Sequence, residues 1–222
     1  MSVTTIKEWI RSHPYCLAVL YFIPYLIYFE LLENFQSPRF TIHCVIDDWI
    51  PFHESFIIPY FLWFPLLAGS LAYFLFRSKE EFLNLCFLMF SGMTISLLIY
   101  TILPNGLDLR PEVLHDNLLA DIARMLYTID TPTNVCPSIH VSSTVTIMIV
   151  FWKSESLKHP RITKILIMIT GIAICLSTMI LKQHSFIDVV CGILLTAGLY
   201  VVTYHMNWRR FFSRTFLRKI VA

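Results

Sequence analysis

His184 and Asp188 stand four residues apart at the start of an apolar run, in the stretch Lys182-Gln183-His184-Ser185-Phe186-Ile187-Asp188. On a helix that spacing puts both side chains on one face, about one turn apart, within reach of an imidazole to carboxylate hydrogen bond. An imidazole oriented in this way keeps one ring nitrogen protonated and presents the lone pair of the other, which suits it to attack or to take a proton. Arg110-Pro111 adds a guanidinium, a planar fork of donors that matches phosphate oxygens. Cys136-Pro137-Ser138-Ile139-His140 joins a second histidine to a helix start, whose unpaired amides and positive dipole end favour an anion. Ser177, seven residues before His184, adds a hydroxyl. Phosphoryl transfer needs these parts: a nucleophile, an acid for the departing oxygen, and donors aimed at the transferring group.

The elements that must position these groups are membrane spans. The chain has 222 residues, 56% of them hydrophobic and only 14% charged, too apolar for a soluble domain of this size. Apolar runs of about 20 residues, enough to cross a bilayer, recur along its length. Six are expected, over residues 14–32, 56–76, 82–103, 138–152, 165–181 and 186–204. Together they form an all-α, integral membrane six-helix bundle and a single domain over residues 1–222. The first run follows Lys7 and Arg11 as a secretory signal would, but it is long for one and has no small-residue cleavage site, so it is read as a retained span. Pro59 and Pro65 should kink the second. Pro137 suits the first turn of the fourth. Between spans 3 and 4, Val113, Leu114, Leu118, Ile122, Met125, Leu126 and Ile129 recur at helical spacing, as in a helix lying in the membrane interface. Such a helix could be a lid or a packed connector. The segment Asp47-Asp48-Trp49-Ile50-Pro51-Phe52 reads as an interfacial or re-entrant turn.

Thirteen of the 17 lysines and arginines fall on one side of these spans, and Arg39, Arg110, Arg124 and Lys182 fall on the other. The richer side is therefore expected to be cytoplasmic, with both termini on it, and His140, His184 and Arg110 to face outward from a multi-pass cell membrane protein. Four of the six cysteines sit in apolar runs, where cysteine behaves as a small hydrophobe; Cys44 and Cys136 share the outer side. No zinc-type clustering of cysteine and histidine and no nucleotide-type glycine loop occurs, so neither metal nor cofactor is expected. The basic tail fits the inside rule and anionic headgroups, and no nucleic-acid partner is expected.

Pro137-Ser138-x-His140, followed by Ser177, His184 and Asp188, resembles the second and third motifs of the type 2 phosphatidic acid phosphatase superfamily, and Arg110-Pro111 resembles the end of its first. The resemblance implies a metal-independent membrane lipid phosphatase in which His184 forms a phosphohistidine, Asp188 is its partner and His140 is the general acid. Arg110, Ser138 and Ser177 would then bind the substrate phosphate. Two cations of the family pattern are missing: Leu103 stands where a lysine is usual and Thr178 where an arginine is usual, with Lys182 the candidate replacement for one. A cradle with fewer cations tilts towards a phosphodiester, which carries about one negative charge where a monoester carries about two. That tilt, and the Asp47–Phe52 segment, resemble the sphingomyelin and inositol phosphorylceramide synthase branch. Three functions are therefore carried forward. The first is hydrolysis of a lipid phosphate monoester or pyrophosphate; the second is phospho-headgroup transfer or phospholipase C-like cleavage; the third is a non-enzymatic lipid transporter or scaffold.

Overall fold

The computed structural model describes residues 3–111, 115–215 and 217–221. Val113 and Leu114 of the amphipathic run lie outside the described residues.

The chain is nearly all helical. Helix α1 (Val3–Ser12) leads into a 3₁₀ stretch (Pro14–Tyr21) and α2 (Phe22–Phe35), then β1 (Phe40–Thr41) and the short α3 (Val45–Trp49). A 3₁₀ turn (Glu54–Phe56) opens α4 (Ile57–Phe61), followed by α5 (Trp63–Arg77), α6 (Lys79–Ile102) and β2 (Asn105–Gly106). The remainder is α7 (Leu118–Ile129), α8 (Ile139–Lys153), α9 (Pro160–Ile180), α10 (Phe186–His205), α11 (Trp208–Phe212) and α12 (Arg218–Val221). Among the described residues, five helical stretches are long and apolar enough to cross a membrane: Pro14–Phe35, Glu54–Arg77, Lys79–Ile102, Pro160–Ile180 and Phe186–His205. Ile139–Lys153 is a shorter apolar helix of 15 residues.

Local chemistry explains several boundaries. The helical path over 54–77 is interrupted at Leu62, between α4 and α5, because Pro65 lacks the N–H that would bond the Phe61 carbonyl. Helix α9 starts five residues earlier than the apolar run suggests. Pro160 occupies its first turn, where a missing N–H costs nothing, and the charged Arg161 and Lys164 ride on its end. Pro137 lies outside α8, one residue before the Ser138 cap, instead of in the first turn. Helix α1 preceding the first apolar run had no counterpart in the sequence reading.

Helix α6 is the central post, with 61% of its apolar stretch buried against 22–28% in the other four. Phe74 and Phe82 are fully buried at the α5–α6 hairpin, with Leu85, Met89 and Met93 along α6, and α8, α9 and α10 pack around them. At one end of the bundle Arg77 donates to the Ser156 carbonyl (2.7 Å) and Arg209 to that of Glu80 (3.1 Å), holding the basic connections together. At the other end β1 and β2 form a two-residue parallel ladder, Phe40 opposite Asn105 and Thr41 opposite Gly106. Glu33, at the close of α2, accepts from Thr131, from Thr133 (2.9 Å) and from Asn134 (2.7 Å). The loop before α8 is thereby tied to the first apolar stretch. Cys44 and Cys136 are both free thiols.

Candidate active site

His184 sits in a tight reversal between α9 and α10. Lys182 takes a left-handed backbone conformation (φ 54°), and the amides of Gln183 and His184 both donate to the Thr178 carbonyl (2.9 and 3.0 Å). This closes the C-terminus of α9 in the manner of a left-handed cap. Helix α10 then opens with a capping box: the Ser185 hydroxyl accepts from the Ile187 amide (3.2 Å), and Asp188 Oδ2 accepts from the Ser185 amide (2.8 Å). The same Oδ2 lies 3.4 Å from His184 Nδ1, so the i, i+4 pair expected from the sequence is formed. Asp188 is fully buried, and its Oδ1 has no partner among the described residues.

His184 Nε2 lies 3.4 Å from His140 Nδ1. His140 is brought there by the start of α8, which four hydrogen bonds fix. Asn105 Oδ1 accepts from the Val135 and Cys136 amides (2.9 and 2.8 Å), Tyr100 donates to the Pro137 carbonyl, and the Ser138 amide donates to the Asp188 carbonyl (3.1 Å). Ser138 is the N-cap, its hydroxyl accepting from the Val141 amide (3.2 Å). The amides of Ile139 and His140 have no partner among the described residues. Gly192 permits this approach of α10 to α8, since a Cβ there would lie 2.9 Å from the Ser138 carbonyl oxygen. The His140 ring packs against Tyr60 (centroids 4.9 Å apart) and Trp63 (4.5 Å), and Trp63 Nε1 donates to the Ser143 hydroxyl (2.8 Å).

Arg110 reaches the same end of the bundle. Its guanidinium donates to the carbonyls of Tyr127 (3.1 Å) and Asp130 (2.6 Å) and to Gln183 Oε1, and it lies over the Tyr127 ring at 4.5 Å. Gln183 Nε2 (3.2 Å) and the Tyr60 hydroxyl (2.6 Å) both donate to Asp130 Oδ2. Arg110 is thus connected to the residue before His184 and, through Asp130 and Tyr60, to the ring beside His140. Burial lowers the guanidinium's pKa, opposed by Asp130 and Tyr127. Its Nε is buried without a partner among the described residues.

Two expected phosphate-site residues point elsewhere. The Lys182 ammonium donates to the backbone carbonyls of Asp47 (2.6 Å) and Ile50, because the left-handed turn swings the side chain towards α3. The Ser177 hydroxyl is fully buried and donates to the Ile174 carbonyl of its own helix (2.6 Å). Asp47 completes the Lys182 contact. Its carboxylate accepts from the Ser185 hydroxyl (2.6 Å) and from the amides of Phe186 and Cys44 (2.8 Å each). Burial by itself would raise the Asp47 pKa, but these hydrogen bonds outweigh it and hold the carboxyl below its ordinary range.

Asp47, Tyr60, Trp63, Asp130 and Gln183 contact the site without having been singled out by spacing. The one available signal was the acidic, aromatic and proline-broken character of the stretch from Asp47, which is far from His184 in sequence and so shows no periodic relation to it.

Neither a curated relative nor a solved structure matches the chain. The family model of the PAP2 superfamily matches residues 81–212, more than half of the chain, and that range contains His140, His184, Asp188, Arg110 and Ser138. With a buried and a partly buried histidine, a carboxylate and an arginine gathered at one end of a bundle of apolar helices, the chain belongs to the PAP2 superfamily, whose members are phosphatases and phosphotransferases acting on phosphate esters.

Proposed function

We propose that this protein hydrolyses a lipid phosphate monoester or pyrophosphate through a phosphohistidine on His184. The observation that carries this reading is the chain of contacts Asp188, His184, His140, with 3.4 Å at each step. Asp188 keeps Nδ1 of His184 protonated, so that the Nε2 lone pair is free to attack phosphorus. The new N–P bond forms as the P–O bond to the lipid breaks, and His140 gives its proton to the departing oxygen. His140 then takes a proton from water, which attacks phosphorus and releases phosphate from His184. At 3.4 Å the two rings must part to admit a phosphoryl group. The unpaired Ile139 and His140 amides at the α8 N-terminus stabilise charge on its oxygens, with Ser138 as the cap that aims them. Arg110 joins them by exchanging one of its present acceptors for a phosphate oxygen. No metal or cofactor has a role in this scheme.

In the membrane, Ile139–Lys153, fourth in order, brings the spans to six in one domain over residues 1–222. Its 15 residues rise only about 22 Å, which leaves His140 beneath the surface of a hydrocarbon layer about 30 Å thick. Helix α7 lies in the interface over the site, both termini are cytoplasmic, and the histidines open to the extracytoplasmic side of the cell membrane. The distribution of basic residues supports this orientation.

A second reading, cleavage or transfer of a phosphodiester headgroup as in the sphingomyelin and inositol phosphorylceramide synthase branch, is favoured by one observation. Lys182 engages α3, so it does not replace the cations missing at Leu103 and Thr178. A panel of lipid phosphate monoesters, pyrophosphates and phosphodiesters separates the two, with the released group identified by mass. Free phosphate supports hydrolysis of a monoester, and a phosphorylated headgroup supports the second reading. On the preferred substrate His184→Ala should lower turnover by about 10⁴-fold or more and His140→Ala by about 10²–10⁴-fold. Wild-type turnover in both variants would exclude either reading, and no turnover of any lipid on the panel by the wild type would leave a transporter or scaffold.

A further inference from the structure

We propose that the end of the bundle opposite the histidines binds an anionic phospholipid, its phosphate on Lys7, Arg11 and Lys219 and one acyl chain in the groove that continues from them. Two cavities meet there. The first, of about 670 Å³, is lined by Lys7, Arg11 and Lys219, with Glu8 the one acid among its lining residues and Leu17 also on its wall. Leu17 also lines the second, of about 720 Å³, whose walls include Phe87 and Phe90 of α6, Trp208 and Phe212, and Ile220 of α12. Both volumes fall in the range of small-molecule sites. The shared residue sets a cationic mouth beside an apolar groove, the order of headgroup and acyl chain in a phospholipid.

The charge is complementary to one class of occupant. Among the described residues no ion pair forms to Lys7, Arg11 or Lys219, so three cations face one acid at the mouth. An anionic headgroup supplies the missing partner, and a zwitterionic one brings its own cation to a site that already has three. The site is assembled from both ends of the chain, since α12 packs on the 3₁₀ stretch that follows α1. Trp208 stacks on Phe87 (centroids 4.2 Å apart), making the groove floor a fixed surface. Most of the mouth lies outside residues 81–212, so it is an addition to the part of the chain that matches the family.

The test uses the full chain in neutral detergent micelles, with thermal unfolding followed as lipid is added. An anionic phospholipid should raise Tm by about 5–10 °C at a hundred-fold excess over its Kd, and a phosphocholine lipid of the same chains should not. Lys7→Gln, Arg11→Gln and Lys219→Gln combined should abolish the shift while leaving the lipid-free Tm close to that of the wild type. Lys158→Gln, Arg161→Gln and Lys164→Gln combined, which remove the same charge from the same end of the bundle, should retain it. Equal shifts in both triple variants would mean diffuse attraction to a basic surface and would overturn the proposal. So would an equal shift from the phosphocholine lipid, or from glycerol phosphate without acyl chains. The readout is binding and not turnover, so its failure leaves the reading of the histidine site untouched.

Discussion

His184 and His140 lie side by side, each on a hydrogen-bonded turn, but their imidazoles are held by different forces. Around His184 the contacts are directional hydrogen bonds: Thr178 accepts from two amides, Asp188 joins the helix cap to the imidazole, and Asp47 binds the turn from outside, accepting from Ser185 and, at its carbonyl, from Lys182. Around His140 the side chain is enclosed by the Tyr60 and Trp63 rings, and its own direct polar contact among the described residues is with His184. Hydrogen bonds fix tautomer and direction, which a nucleophile needs. Ring packing fixes position and leaves the nitrogens free to exchange a proton, which a general acid needs. The difference supports the proposed division of roles, His184 as nucleophile and His140 as general acid, on grounds separate from their places in a motif.

If direction matters most at His184, Asp188→Asn should be the most severe change outside the histidines. Asparagine can still accept from the Ser185 amide but presents no charge to the imidazole, so kcat should fall by about 10³–10⁴-fold with only a small change in Tm. A large fall in Tm with little loss of kcat would reverse the assignment. Gly192→Ala tests whether the two turns must stay in register. The added methyl meets the Ser138 carbonyl at 2.9 Å, so α8 and α10 must separate, at a cost of about 1–3 kcal/mol in stability and about 10–100-fold in kcat.

Asp47→Asn loosens the outer clamp on the His184 turn, with an expected loss of about 1–2 kcal/mol and about 10-fold in kcat. It also has a pH signature. The folded-state pKa of Asp47 is lowered, so its contribution is fully present above the unfolded value of about 3.9 and is lost as pH falls through the folded value. Between about pH 5 and pH 3 the Tm of the wild type should therefore fall more steeply than that of Asp47→Asn, and parallel curves would show that the carboxylate is not engaged. Trp63→Phe should have the smallest effect. It keeps the ring against His140 and removes the bond to Ser143, for about 1 kcal/mol and less than about 3-fold in kcat. A larger loss in Trp63→Phe than in Asp47→Asn would break the contrast between the two turns.

What could be read from the sequence was what is local. His184 and Asp188 are four residues apart, and helical geometry alone brings them together; Ser138 caps the helix on which His140 sits two residues later. The direction of Lys182 is not legible in the sequence, because it depends on a left-handed backbone state that side-chain spacing does not encode. Asp47 and Tyr60 enter the sequence reading of the site only through the resemblance of their segment, and Asp130 not at all, because their contacts span between 53 and 139 positions along the chain, across connections that carry no periodic signal. The apolar runs announced where helices would be. Their ends were set by prolines and caps that hydrophobicity does not register, as at Pro160 and Ser138.

Asp188 Oδ2 serves two masters, receiving the Ser185 amide that starts α10 and facing the imidazole beside it. On the proposed mechanism, selection for a well-formed helix end and selection for turnover act on the same atom. A descendant that lost its chemistry through a change at His184 or His140 would still be under pressure to keep a carboxylate at this position. Among divergent copies of this gene, Asp188 alone would be a poor marker of a living enzyme, and the two histidines the better one.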